Sequence, residues 1–295
     1  MFMARQKPPE RKAPSRRALR LRTLRRRYDF HLGEAIRAAL QGNHDKAATH
    51  SATALAISRE LYAGARDPLW HRAELAAALC NHARYGTSIV DTIALLTESA
   101  GHYAALAEAD PAGYEVPRIE VLTRVALACD TSGNSAGAIS LLREVVRLYL
   151  KAPAADLAHR DLALARARFH LGRCLLKAGS AADGLAETDA GLALAWQALD
   201  RLRISACVPG WLGTAPRYVQ LAAPDWASAA VRSMMLHAAA GRWENAAGAA
   251  EAAVALTADL ACLGGDSMRE AHAAIRTRAD VIWAHAEHTE RAAAG

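Results

Sequence analysis

Aromatic side chains are scarce, at 5% of 295 residues with only three Phe, and Val and Ile are thin beside them. Those residue types populate pleated, half-buried sheets, so their shortage argues against an all-β fold. No stretch of about 18 consecutive apolar residues occurs, which leaves nothing able to cross a bilayer as a helix. The five cysteines, Cys80, Cys129, Cys174, Cys207 and Cys262, are widely scattered, with no CxxC pair. That spacing offers neither a disulfide framework nor a thiolate cluster for a metal, and it points to reduced thiols. Nucleophile elbows of the GxSxG type, Walker loops and GxGxxG turns are missing too, and Gly210-Trp-Leu-Gly213 lacks the rest of a phosphate loop. Neither catalysis nor a cofactor is expected.

What the chain has in excess is alanine, which makes up close to half of a hydrophobic fraction of 52%. Alanine is the strongest helix former, and a chain of this length and apolar content buries a sizeable core. All-α is the expected class. The formal charge of +6 hides an asymmetry: residues 1–27 carry eleven basic side chains against Glu10 alone, a balance of +10, which leaves the rest of the chain at −4. Ser15-Arg16-Arg17 has the look of a twin-arginine export signal. An Arg-studded run, Ala18-Leu-Arg-Leu-Arg-Thr-Leu-Arg-Arg-Arg27, follows where an uncharged segment is needed, so a cytoplasmic location is expected.

Self-similarity organises the rest. Ala39-Leu-Gln-Gly42-Asn-His-Asp-Lys-Ala47, Asp130-Thr-Ser-Gly133-Asn-Ser-Ala-Gly-Ala138, Leu176-Lys-Ala-Gly179-Ser-Ala-Ala-Asp-Gly184 and Ala239-Ala-Gly241-Arg-Trp-Glu-Asn-Ala246 share one grammar. Each has an amphipathic stretch, a Gly, and a small residue five positions later. A weaker copy sits at Gly86. The steps from Gly42 to Gly86, Gly133 and Gly179 are nearly equal, whereas the step to Gly241 is markedly longer and so holds an insertion. A Gly after an apolar-periodic helix takes the left-handed conformation that closes it, and the small residue lets the next helix approach closely. Helix, tight turn, helix is the unit. Leu122, Val125, Ala126 and Cys129 before one turn, and Leu141, Leu142, Val145, Val146 and Leu148 after it, keep the required three- and four-residue steps.

These units resemble tetratricopeptide (TPR) repeats, with Leu171-Gly172 at the paired leucine and small-residue positions, seven residues before Gly179. The period exceeds the TPR norm, Asp91 replaces the expected Ala in the second unit and Gly184 does so in the fourth. With linkers such as Asp67-Pro68 and Asp110-Pro111, the pattern is similar to long-period arrays of bacterial signalling ATPases and regulators. The resemblance implies a right-handed α-solenoid of about five helical hairpins over residues 28–263, closed by a capping helix within 264–295. Ser267 and Glu270 form a capping box for that helix. Residues 204–224, with Pro209, Pro216 and Pro224, interrupt the array and are not expected to form a continuous helix.

In TPR proteins the first helices line a groove that captures a peptide or partner helix. Counting from the turn glycines, that groove would display Asn81, Arg84, Arg124, Arg166, His170, Arg173, Lys177 and Arg232. Positions 166, 170, 173 and 177 keep one helical face. A cationic stripe there would suit an acidic protein or peptide. The same arginines could instead lie on the outer face or pair with neighbouring carboxylates; the spacing admits both.

Residues 1–27 form a basic, disordered or conditionally helical arm, with helix expected only from Ser15 onward. Its arginines, Arg16, Arg17, Arg20, Arg22, Arg25, Arg26 and Arg27, suit phosphates of nucleic acid or an anionic membrane, or simply a solvated tail. No aromatic side chain is interleaved among them for base readout. Cys80, Cys129 and Cys174 recur in near-identical phase before their turns, as packed core residues would. His285 and His288 are three residues apart on the last helix and match no zinc-protease spacing. Trp211, Tyr218 and Trp226 make the insertion aromatic, either as a plug for the interrupted array or as a partner anchor. The expected function is a protein- or peptide-binding scaffold or adaptor. The alternative is a regulatory protein whose array senses a peptide or small ligand while the arm contacts nucleic acid.

Overall fold

A computed structural model describes residues 16–64, 68–85, 88–152, 157–202, 211–215, 217–263 and 266–294. Among them there is no strand. The helices are α1 (Arg16–Leu40), α2 (His44–Gly64), α3 (Pro68–His82), α4 (Ile89–Ala109), α5 (Pro111–Thr131) and α6 (Ser135–Lys151). They continue as α7 (Leu157–Lys177), α8 (Ala181–Arg201), the single turn α9 (Trp211–Thr214), α10 (Arg217–Ala239), α11 (Trp243–Leu263) and α12 (Asp266–Ala294). The chain divides into two compact units, residues 1–114 and 115–295, with the division falling inside α5.

Four of the turn glycines adopt positive φ, between 71° and 85°, at positions 42, 133, 179 and 241. Each closes its helix with the same two hydrogen bonds. At the first turn the Gly42 N–H donates to the Ala39 carbonyl at 3.0 Å and the Asn43 N–H to the Ala38 carbonyl at 2.9 Å. The pair recurs at Gly133 and Asn134, at Gly179 and Ser180, and at Gly241 and Arg242. This is the Schellman ending, which needs a left-handed residue and so favours Gly. Asn43 and Asn134 then serve twice, because their side-chain oxygens accept the N–H groups of Lys46 and Gly137 at the start of the next helix.

The small residue five positions on does what its spacing predicts. Ala47, Ala138, Gly184 and Ala246 are all buried. On the preceding helix, twelve residues before each of them, stand the buried residues Ala35, Ala126, Gly172 and Met234. In the fourth hairpin the approach is tightest: a Cβ added to Gly172 would lie 2.5 Å from Thr188 Oγ1 and 2.6 Å from the Gly184 carbonyl oxygen.

In unit 1, Leu24 and Tyr28 of α1 pack with Leu55, Ile57 and Leu61 of α2 and Leu75 and Leu79 of α3. In unit 2, α7, α8, α10 and α11 share a core with α9 and α12, centred on Phe169, Leu199, Trp226, Met234 and Leu256. Cys80, Cys129 and Cys174 are buried free thiols, as expected, whereas Cys262 is exposed and Cys207 lies outside the described residues.

Three expectations need correcting. The basic segment turns helical where the sequence allows it, but it is no detached arm: residues 16–27 are the first half of α1, with Leu24 in the core, while 1–15 lie outside the described residues. Long-range contacts supply what local pattern does not, because Arg17 donates to the Gly64 carbonyl, Arg20 pairs with Glu60 and Arg25 pairs with Glu74. The interruption is also shorter than 204–224. Helix α10 runs from Arg217 through Pro224, held by Val219, Ala223 and Trp226, all buried, so tertiary packing outweighs the proline penalty. Finally, α12 begins at Asp266, which places Ser267 inside the helix rather than at its cap.

Candidate functional site

Six of the eight groove candidates come from three first helices of unit 2: Arg124 on α5; Arg166, His170, Arg173 and Lys177 on α7; Arg232 on α10. Asn81 and Arg84 belong to unit 1, where Asn81 is half-buried near the end of α3 and the Arg84 N–H donates to its carbonyl.

The stripe on α7 is cationic in sequence but largely answered in space. Asp130, near the end of α5, is buried, and it accepts from Arg173 Nη2 at 2.9 Å and from Lys177 Nζ at 2.9 Å through both oxygens. Burial alone would raise its pKa; the Lys177 hydrogen bond and the Arg173 and Lys177 charges outweigh that and hold it below the usual carboxylate value. Arg166 pairs with Asp225 of α10 at 2.7 Å. Between these pairs sits His170, buried with its Nε2 unpartnered. Burial lowers its pKa to about 4, with Asp225 and Asp130 opposing and Arg173 and Arg166 reinforcing, so the imidazole is neutral at pH 7. Arg124 and Arg232 make no ion pair among the described residues. Burial, then repulsion from Arg173, lowers the Arg232 pKa.

Beside the stripe, α5, α6 and α7 line a cavity of about 400 Å³. Arg124 and Arg166 flank it with Glu120, His159, Leu162 and Tyr149. The phenol of Tyr149 has its pKa raised by burial and by Glu120, against Arg166, so it stays a neutral hydrogen-bonding group. The cavity combines an apolar floor with the Arg124 guanidinium, unpaired among the described residues, while Arg166 is already held by Asp225; Arg124 suits a carboxylate-bearing guest.

Sequence reasoning finds the cations and misses the anions. Asp130 stands three residues before Gly133, and Arg173 and Lys177 lie 43 and 47 residues further on, close to one repeat period. That spacing is the signal from which the pairing could be read. Farther along, Asp189 of α8 accepts from Ser233 Oγ at 2.6 Å and lies 2.9 Å from His237 Nε2. A nucleophilic serine needs the imidazole at its own oxygen. Here the carboxylate stands between two buried side chains, so the trio ties α8 to α10. His285 stacks on Trp243 at 4.5 Å between ring centres. Of the aromatic insertion, Trp226 is in the core at 1% exposure, in the manner of a plug, while the side chains of Trp211 and Tyr218 lie outside the described set.

The hairpin geometry matches solved structures. The chain superimposes on the crystal structure of the kinesin light chain nearly identical TPR-like repeats of Podosopora anserina with a TM-score of 0.50 and 17% identity, over 82% of this chain and 98% of that one. A singly substituted form of those repeats gives a TM-score of 0.51 and 18% identity, over 81% and 97%. The fold is that of a TPR-like repeat array. No family model matches the chain, and no curated protein does either. Among the described residues no helix is long and apolar enough to cross a membrane.

Proposed function

We propose that the protein is a binding scaffold whose unit 2 receives an acidic segment of a partner polypeptide against α5, α6 and α7. The observation that carries this reading is the cavity of about 400 Å³ flanked by Arg124 and Arg166, with Arg124 free of any ion pair among the described residues. A Glu or Asp side chain from the partner takes Arg124, and its neighbouring apolar groups cover Leu162. Arg173 and Lys177 act differently, by neutralising Asp130. Reversing them would leave that buried carboxylate among like charges, so they are poor probes of binding.

Fluorescence anisotropy with a labelled Glu-rich decapeptide and its Lys-rich counterpart tests the reading. The acidic peptide binds and the basic one does not, and Arg124→Glu with Arg166→Gln weakens binding roughly 30-fold, about 2 kcal/mol, chiefly through the charge-assisted contact to Arg124. Arg59→Gln on α2 of unit 1 leaves it unchanged. Equal binding of both peptides, or indifference to the double substitution, rejects it.

A further inference from the structure

The outer side of α1 is the other surface that asks for a partner. The helix turns Leu24, Tyr28 and Ala35 inward to α2 and α3. On the opposite side, Leu19, Arg22, Arg26, Phe30, Arg37 and Leu40 follow the helical repeat over the length of the helix. Leu19 is 49% exposed, Phe30 60%, Ile36 47% and Leu40 84%. Four bulky apolar side chains on one exposed helix are more than a solvated face needs.

The charges beside them have a sign and no answer. Arg16, Arg22, Arg26 and Arg27 are exposed and make no ion pair among the described residues. The two acidic residues of α1 are already engaged, Asp29 with Arg25 and Glu34 with Arg37 and Lys46. Residues 1–15 add four basic side chains against Glu10, so charge does not favour that segment, or a second copy of the same basic face, as the cover.

We propose that the outer face of α1 docks on an anionic phospholipid surface, with Arg16, Arg22, Arg26 and Arg27 on the headgroups and Leu19, Phe30 and Leu40 at the acyl boundary. Nucleic acid would satisfy the arginines alone; a lipid interface has both a layer of negative charge and an adjacent apolar one along the length of a single helix. The helix lies along the surface, and unit 1 stays folded behind it because the inward face is unchanged.

Co-sedimentation of the full chain with vesicles of phosphatidylcholine, with or without about one-third phosphatidylglycerol, tests this. The expected result is binding only to the anionic vesicles, weakened by raising salt to about 500 mM. Arg22→Gln with Arg26→Gln lowers the partition coefficient about 25-fold, roughly fivefold per charge. Phe30→Ser with Leu40→Ser lowers it about tenfold and makes the remainder fully salt-sensitive. All four side chains are exposed, so the thermal midpoint stays put; should the Ser pair unfold the hairpin, the Gln pair still decides. Equal binding to neutral vesicles overturns the proposal, as does anionic binding that the Gln pair leaves at full strength. So does a short DNA duplex that binds through Arg22 and Arg26 while vesicles do not, which would assign the face to nucleic acid.

Discussion

Ion pairs join helices in both units, Arg20–Glu60, Arg25–Glu74 and Arg59–Glu98 among them in unit 1, but unit 1 adds contacts through imidazoles, whereas in unit 2 carboxylates carry most of the rest. His31 Nδ1 lies 2.9 Å from His50 Nδ1 across α1 and α2, His82 Nδ1 lies 2.9 Å from Ser51 Oγ across α2 and α3, and the His102 ring meets Tyr62 edge-on. In unit 2, Asp130 joins α5 to α7, Asp161 joins α7 to Arg201 at the end of α8, and Asp189 joins α8 to α10. Asp259 of α11 accepts the Leu212 N–H of α9 at 2.8 Å. The apolar pattern follows one plan in both units, since a buried residue recurs twelve positions before the buried small residue of each hairpin. Polar brackets are therefore set independently of the repeat.

The largest effect is expected where packing is tightest. Gly172→Ala forces a methyl against Thr188 and the Gly184 carbonyl and destabilises unit 2 by about 3 kcal/mol. Its counterpart Ala35→Gly in unit 1 costs only about 1 kcal/mol through helix propensity and lost burial. Hydrogen exchange resolved by unit measures both; equal losses would erase the contrast in packing.

Acid acts on both units. His82 and His102 both have pKa values lowered mainly by burial, with Arg59 reinforcing at each and Glu98 opposing at His102. A histidine depressed in the folded state stabilises above its unfolded pKa and loses that contribution as pH falls below about 6.5. Asp130 is depressed too, but as a carboxylate, so its contribution is lost only as pH falls through its folded value, below about 4. His170 is the imidazole that unit 2 has in the same sense. Its pKa of about 4 predicts a loss on the order of 3 kcal/mol between about pH 7.5 and 4. His170→Gln should therefore flatten unit 2 between about pH 7.5 and 5 while unit 1 still weakens. A unit 1 that holds its protection through that range would remove the distinction.

Asp161→Ala takes a buried carboxylate from Arg160 and Arg201 and costs about 2 kcal/mol, discounted because both arginines reach solvent. Urea unfolding followed on unit 2 measures it. The smallest effect belongs to Arg20→Ala, whose partner Glu60 is itself exposed; the thermal midpoint should move by no more than about 0.5 kcal/mol equivalent.

Hairpins were legible because one residue type at one spacing reports a backbone requirement. Gly42, Gly133, Gly179 and Gly241 need positive φ, and the small residue five places on needs closeness. That residues 16–27 turn helical was legible, but their docking onto unit 1 was not, since Arg20 and Arg25 find their partners, Glu60 and Glu74, on other helices far along the chain. Pro224 misled for a related reason: local propensity opposes α10 there, and the burial of Trp226 overrides it. At the candidate site, Arg166, Arg173 and Lys177 could be placed on one face from spacing alone. Whether that face was cationic depended on Asp130 and Asp225, each on another helix.

Asn43 and Asn134, which finish one helix with the backbone and open the next with the side chain, make the short elbow intolerant of any change in length. One extra residue there would forfeit both functions at once. Growth and loss of sequence are thereby confined to the joints between hairpins, as the stretched interval between Gly179 and Gly241 illustrates. Peptide tags or reporter domains should be accepted at such joints and rejected at the elbows.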